Sequence, residues 1–296
     1  MDTKNSISFC ITCMGRLEHL KETLPQNIKD NESSPDCQFV VLNYGGDPKT
    51  EDWVLSNFQS EIESGKVKYV SHPDAEHFYF SHAKNMAHRI ADGGILCNLD
   101  ADQYTGKDFA RWLEKQFAAT DQNKRPIFVR HSPVEIASNK SHSDSLGKIA
   151  MRREDFNRLR GYNERFTGWG GEDRDLMARM IKNRMKHISI PLSFAHSIPH
   201  SNELRVACQP EETRADSLRK IESRNNETPG IHSLTGKAMR FGGDLVRSTI
   251  HKTNPDSFGA GTVYVNGSTT PYIIPPIPHS LIDRSQGSTQ AARALS

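Results

Sequence analysis

Two pairs of carboxylates have neighbours that suggest chemistry. Asp100 and Asp102 close the stretch Ile95-Leu-Cys-Asn-Leu-Asp-Ala-Asp-Gln103, a short apolar run after Gly93 and Gly94. Such a run reads as a buried strand. Carboxylates at its carboxyl end lie at the rim of the sheet, where open α/β folds bind ligands. Two of them so close repel unless a cation lies between them, and hard divalent cations prefer oxygen ligands. The chemistry is then a metal site holding a phosphate-bearing ligand. A polar turn accounts for the same two residues, because Asp is common in turns. The second pair, Glu172 and Asp173, follows Gly168-Trp169-Gly170-Gly171. Glycines let a backbone approach a ligand closely, and the Trp offers a flat apolar face that can stack on a sugar. Acids at a helix start also cap free N–H groups and suit the helix dipole. That alternative explains Asp173 but not the clustering of Gly and Trp.

Elements must position these groups. Ser6 to Thr12 reads as a first strand, and Glu18 to Ile28 as a helix with Leu17, Leu20 and Leu24 three and four apart. Gln38 to Leu42 is a second strand, ending in the glycine turn Asn43-Tyr-Gly-Gly-Asp47. Glu51 to Ser64 reads as a helix, Val67 to Ser71 as a strand, and Phe80 to Ile90 as a helix leading into the Ile95 strand. Strands alternating with helices predict a parallel sheet with right-handed crossovers and a nucleotide-binding α/β fold. Phe109 to Phe117 is a helix. Pro126 to Arg130 and Gly147 to Met151 are short strands around the polar loop Ser138 to Ser145. A helix opens at Glu172 and Asp173, and Lys186 to Ile190 is a strand followed by Phe194-Ala-His-Ser-Ile-Pro-His-Ser201. Beyond Glu203 the pattern weakens. Glu211 to Arg224 reads as a polar helix, and Thr262 to Tyr272 as a hairpin around Asn266-Gly267. Tyr272 to Pro278 reads as extended, and Ser285 to Ser296 as a loose tail.

Composition narrows the class. The 296 residues are 35% hydrophobic and 25% charged, which suits a globular chain with ample core. The net charge of +2 argues against a nucleic-acid surface. No apolar run approaches a membrane span of about 18 residues, and the polar start leads into a strand rather than a signal peptide. The five cysteines are odd and sparse, as in a reducing, cytoplasmic setting. Cys10 and Cys13 have CxxC spacing without a second pair, so small buried apolar residues describe them better than zinc or redox chemistry.

Taken in order, Thr12-Cys-Met-Gly-Arg-Leu-Glu-His-Leu20, Asn43 to Asp47, Phe80-Ser-His-Ala-Lys-Asn85, Asp100-Ala-Asp102 and Gly168 to Asp173 resemble a GT-A fold glycosyltransferase. The set is most similar to the inverting β-1,4-galactosyltransferase-like group and to bacterial family 2 enzymes with the Trp-Gly-Gly-Glu-Asp segment. The resemblance covers Ile7 to about His200. It implies a Rossmann-like mixed sheet flanked by helices over residues 1–203; beyond it, residues 204–284 read as a small C-terminal extension serving as lid, acceptor site or oligomer contact, and 285–296 as a flexible tail. It implies a UDP-sugar donor, a glycan or lipid-linked saccharide acceptor, and Mn2+ or Mg2+ as cofactor. Thr12 and Arg16 would contact the uracil and ribose, with Asn43 and Asp47 bounding the pocket and Lys84 and Asn85 near the nucleotide. Asp102 would ligate the metal, with Asp100 supporting ribose and metal. Trp169 and Gly170 would shape the sugar site. Asp173 would be the general base, with Glu172 holding sugar hydroxyls. A histidine would complete the metal site. His196 and His200 are both available, and His196, directly after an apolar segment, is favoured. His72, His77, His82 and His88 share no ligand spacing and read as surface or helix residues.

The chemistry needs such groups. A cation bridging the phosphates neutralises charge that grows as the anomeric bond breaks. A carboxylate must take the acceptor's proton, and one base opposite the leaving group gives inversion. A cytoplasmic enzyme acting on a carrier-linked acceptor would sit at the inner membrane face as a peripheral protein. Competing readings fit less well. A haloacid dehalogenase-type phosphatase places Asp-x-Asp near the N-terminus with Thr or Val two residues on, where this chain has Tyr104. A nucleotidyltransferase needs a Gly-rich basic loop, and Thr12 to Arg16 has one glycine and one base. An inactive glycan- or nucleotide-binding relative would have no need to retain all four acids.

Overall fold

A computed structural model describes residues 4–121, 125–132, 135–136, 145–225 and 253–278. The tail from 285 and most of the Ser138 to Ser145 loop lie outside the described residues. A nine-stranded mixed sheet runs through the molecule in the order β11-β10-β3-β2-β1-β4-β7-β6-β8. Its parallel centre is β1 (Ile7–Cys13), β2 (Gln38–Tyr44), β3 (Val67–His72) and β4 (Ile95–Asp100). β6 (Ile127–Arg130) and β8 (Lys186–Ser189) run parallel to each other, while β7 (Ile149–Arg152) is antiparallel to both β4 and β6.

Both faces of the central strands are covered, which is why these strands read as nearly continuous apolar runs. Side chains alternate between the faces. Ile7, Phe9, Ile11 and Cys13 join one core with Leu20 and Leu24 of α1 (Leu17–Asp30) and Phe109 and Leu113 of α5 (Phe109–Asp121). Cys10, Val40 and Leu42 join the other core with Met86 and Ala87 of α4 (Phe80–Ile90). Cys10 and Cys13 are therefore free, buried and on opposite faces.

Two expected elements differ in extent. The helix expected over Glu51 to Ser64 starts earlier and breaks into α2 (Pro48–Asn57) and α3 (Gln59–Glu63) at Phe58. It starts early because the Asp47 carboxylate caps the Thr50 N–H at 3.0 Å and Pro48 follows directly. In the hairpin, β10 (Thr262–Val265) pairs with β11 (Tyr272–Ile273), so the second strand begins only at Tyr272. Asn266 and Gly267 both take positive φ, as the turn requires. β10 also pairs antiparallel with β3, and Phe258, Val263 and Ile274 enter the α4-side core. This part of the expected extension thus continues the main sheet. Among the described residues no helix is long and apolar enough to cross a membrane.

Three further helices, α6 (Arg153–Arg158), α7 (Glu172–Lys182) and α8 (Asn202–Val206), precede the long polar α9 (Glu211–Asn225). A second, two-stranded sheet pairs β5 (Gln103–Tyr104) with β9 (His196–Ser197). This small sheet brings the two distant acid- and histidine-bearing segments together.

Candidate active site

The β1–β4 register sets Thr12 beside Asp100 at the carboxyl ends of the central strands. The chain from Asp100 to Thr105 is held by the polar side of α1. Thr23 Oγ1 donates to the Ala101 carbonyl at 2.7 Å, and Asn27 donates to the Gln103 carbonyl at 3.0 Å while accepting from Thr105 N–H at 2.7 Å. The Asp100 carboxylate accepts from Asn98 Nδ2 and Gln103 Nε2, each at 3.1 Å. Burial, with the neighbouring Asp102 and Asp173, outweighs Lys84 and pushes its pKa up to about 6. Gly147 passes so close that a Cβ there would lie 2.6 Å from Asp100 Oδ2. Next to it, the buried Lys148 ammonium donates to the carbonyls of Tyr104 and Phe194 at 2.7 Å each and ties the small sheet to β7. Burial lowers the Lys148 pKa to about 8.

Asp102 meets His200, with Oδ2 and Nε2 2.8 Å apart. Burial opposes ionisation of Asp102, but the His200 hydrogen bond and charge, together with Arg16, outweigh it and hold the carboxyl below its usual range. His200 Nδ1 lies 3.1 Å from the Ser201 carbonyl, which can only accept, so Nδ1 carries a proton. In the neutral ring Nε2 would then aim a lone pair at a carboxylate. The pair therefore calls for a shared positive charge, supplied by a second ring proton or by a divalent cation. One carboxylate and one imidazole suit Mn2+ well. Among the described residues no three His, Cys, Asp or Glu side chains converge as a ready-made metal site. Two protein ligands, with phosphate and water making up the rest, is a common arrangement for such ions at nucleotides.

His196, favoured from sequence, does not reach this site. It lies on β9 opposite Tyr104, exposed, and donates to the Ser193 carbonyl at 3.0 Å. The β5–β9 pairing, extended by Ile198 N–H donating to the Asp102 carbonyl at 2.8 Å, carries the chain past Asp102 so that His200 folds back onto it.

The second acid pair opens α7. Gly171 caps this helix at φ 110°, and a Cβ there would strike Phe166 at 2.8 Å, so the turn needs glycine. Arg179, fully buried, pairs with Asp175 at 2.8 Å and donates to the carbonyls of Leu159 and Gly161, docking the helix. Lys84 of α4 reaches Glu172 Oε1 at 3.0 Å and Asp173 Oδ1 at 2.9 Å. Its ammonium also lies 5.1 Å from the centre of the Tyr162 ring. Burial opposes the Lys84 charge, but Asp173, Glu172 and Asp100 together raise its pKa well above the ordinary value. Burial also raises the Glu172 pKa, with Asp173 adding to it and Lys84 opposing. Glu172 Oε2 is buried without a hydrogen-bond partner among the described residues.

At the first pair opens a cleft of about 630 Å³, counting its open mouth, and neither Glu172 nor Asp173 is among the residues that line it. Thr12, Arg16, Asp100, Asp102, Trp169 and His200 line it, with Phe78 and Phe80 on another wall. Gly170, at φ 82°, has open space around it. Lys84 belongs to the Glu172–Asp173 cluster. Three residues expected at the donor pocket are used elsewhere. Asn43 is fully buried, with its amide bonded to Tyr69 Oη at 2.8 Å and to the Asp47 backbone on both sides. Asp47 caps α2, where the Thr50 hydrogen bond lowers its pKa. Asn85 is buried and clamps the Tyr162 backbone and Glu164. None of the three lines the cleft. Gln103, Gly147, Lys148, Arg205 and Gln209 were not singled out from sequence, and no local motif marks them.

A family model described as the N-terminal domain of galactosyltransferase matches residues 130–205, which include β9, His200 and the Gly168 to Asp173 segment. No curated protein sequence matches the chain. Two solved structures are similar in fold. The mannosyltransferase PcManGT from Pyrobaculum calidifontis, in complex with GDP-Man and Mn2+, has a TM-score of 0.54 and 15% identity over 82% of this chain and 72% of its own. S. aureus TarS 1-349, in complex with UDP-GlcNAc, has a TM-score of 0.52 and 12% identity over 84% and 73%. The mixed sheet flanked by helices, with acids at the ends of its strands, is the GT-A fold of glycosyltransferases.

Proposed function

We propose that the protein is a metal-dependent inverting glycosyltransferase that moves a hexose or N-acetylhexosamine from a UDP-sugar to a hydroxyl of a glycan or lipid-linked saccharide. The observation that carries this reading is the pairing of His200 with Asp102, at 2.8 Å, in a cleft that Asp100 also lines, with Lys84 and Asp173 near enough to Asp100 to act on its charge. Asp102 and His200 are the metal ligands, with Asp100 beside them. Mn2+ or Mg2+ held there would neutralise the charge that grows on the departing diphosphate. Arg16 stands at the same wall and suits the donor's phosphate side. Trp169 offers its face to a sugar.

Lys84 donates to Asp173 Oδ1 and leaves Oδ2 to take a proton. The acceptor hydroxyl gives that proton to Asp173 as its oxygen bonds to the anomeric carbon, and the bond from that carbon to the phosphate oxygen breaks. UDP leaves on the opposite side, so the anomeric configuration inverts. Glu172 Oε2 is placed to accept from a sugar hydroxyl. The free thiols fit a cytoplasmic setting, where a carrier-linked acceptor would present itself at the inner membrane face.

Calorimetric titration with UDP, in Mn2+ and then in chelator, tests the metal and nucleotide assignments. Binding at least tenfold tighter in Mn2+ is expected, in line with a charge-assisted contact of about 1.4 kcal/mol or more. Equal affinity in both would remove the metal from the account.

A further inference from the structure

The dipeptide Gly147-Lys148, just before β7, meets each of the segments that carry Asp100, Asp102 and His200, and we propose that it positions these three residues for the cation. The inference rests on the metal-dependent reading above and assigns part of the metal affinity to residues that do not ligate it. Asp102 directly precedes β5, and His200 follows β9 closely. These two strands pair through only Gln103 with Ser197 and Tyr104 with His196. So short a two-stranded sheet is marginal on its own. Its ties to the rest of the fold therefore decide how firmly the Asp102 and His200 segments are held.

Lys148 supplies one such tie from inside the core. It is 0% exposed, and its ammonium donates at 2.7 Å to the Tyr104 carbonyl in β5 and at 2.7 Å to the Phe194 carbonyl shortly before β9. Burying a charge is costly, and an apolar side chain would avoid that cost. An apolar side chain could not, however, bind two carbonyls from two segments at one point. The same ammonium lies 5.2 Å from the centre of the Phe109 ring, and that ring lies 5.0 Å from the Phe194 ring. It thus sits where α5 meets the segment leading into β9. Near the metal residues, Ile198 N–H donates to the Asp102 carbonyl at 2.8 Å. The small sheet is therefore fastened at both ends. Gly147 acts on the third residue. Asn98 Nδ2 donates to the Gly147 carbonyl at 3.0 Å and to Asp100 Oδ1 at 3.1 Å. A Cβ on Gly147 would lie 2.6 Å from Asp100 Oδ2, so glycine leaves the room that this oxygen occupies. β7 is itself paired with both β4 and β6, so residues 147 and 148 take their positions from the main sheet. Groups that orient a metal's ligands are worth about 10–100-fold in its affinity.

The test is binding rather than turnover. Wild type, Lys148→Met and Gly147→Ala are titrated with Mn2+ in saturating UDP, with free Mn2+ read by electron paramagnetic resonance. UDP affinity in chelator is measured alongside by calorimetry. Met keeps the bulk of the lysine stem and removes its donors. Ala sets its Cβ against only the end of the Asp100 side chain, so the carboxylate shifts while the backbone stays. Mn2+ affinity is expected to fall on the order of tenfold in each variant, with UDP affinity in chelator changed by less than about twofold. Wild-type Mn2+ affinity in a folded Lys148→Met would overturn the proposal. If Lys148→Met does not fold, Gly147→Ala decides, and unchanged Mn2+ affinity there overturns it. An equal loss of UDP affinity in chelator would show a general loosening and overturn it as well. Wild type that takes up no Mn2+ with UDP would overturn the metal reading itself, whereas uptake by wild type and variants alike removes only the role of the dipeptide.

Discussion

Replacing Lys84 with Met tests how the two halves of the site depend on each other. The ammonium is 3.0 Å from Glu172 Oε1 and 2.9 Å from Asp173 Oδ1, with the three side chains 4%, 7% and 21% exposed. At an effective dielectric of about 20, each attraction is worth about 5 kcal/mol before desolvation. Most of that offsets the cost of taking the charges out of water, so the net worth of the cluster is small. Removing one partner is different, because Glu172 is then buried beside a like charge, which costs about 3–5 kcal/mol. The sign with pH follows from Glu172. Its folded pKa already lies above the ordinary value because of burial, so its ionisation destabilises the fold as pH rises from 4.5 through that raised value. Without Lys84 that value rises further and the window widens. Lys84 itself acts in the other direction. With a folded pKa raised by its acids, it stabilises fully below its ordinary value of 10.5 and loses this only in strong alkali. Urea unfolding of wild type and Lys84→Met is therefore expected to differ by about 3–5 kcal/mol at pH 7.5 and by at least about 1 kcal/mol less at pH 5. A loss that is the same at both pH values, or below about 1 kcal/mol at pH 7.5, would refute a buried, charge-compensating Lys84.

Other consequences follow from the same geometry. His200→Ala is expected to remove most of the Mn2+-dependent gain in UDP affinity, while His196→Ala leaves it within twofold, by calorimetry; the reverse order would return the ligand to His196. Asp100→Asn is expected to stabilise the metal-free protein at pH 7.5 by roughly 1–3 kcal/mol, because a carboxyl whose pKa rises from 3.8 to about 6 on folding loses stability as pH climbs through that range. Thermal melts in chelator check it, and a destabilised Asp100→Asn would contradict the burial argument.

Much of the scaffold was legible because burial leaves a periodic trace. α4 runs over the expected Phe80 to Ile90, since Ala83, Met86, Ala87 and Ile90 repeat at three and four. The Gly168 to Asp173 segment was legible for a different reason, since a turn at positive φ over Gly170 and Gly171 admits few other residues. Polar residues after strands were harder. Asn43 and Asn85 look like ligands in one dimension, but each spends its amide on a neighbouring turn, and only the fold shows where those bonds go. The placement of the two histidines was not legible because a two-residue strand sets it: His196 pairs across from Tyr104, and four residues later His200 lies against Asp102. Gly147, Lys148 and Gln209 carry no local signal at all. Their parts depend on contacts 44 to 49 positions away for Lys148 and Gly147, and on the Ser217 hydroxyl for Gln209.

The proposed function is metal-dependent glycosyl transfer with Asp173 as base. The most direct measurement is nucleotide diphosphate release from a panel of UDP-sugars, with GDP-mannose included, in the presence of saccharide acceptors, for wild type and Asp173→Asn, in Mn2+ and in chelator. Acceptor-dependent release by wild type in Mn2+ alone is expected, with Asp173→Asn reduced on the order of a hundredfold or more while still binding UDP. Equal release by Asp173→Asn and wild type, or by wild type in chelator, would contradict the account.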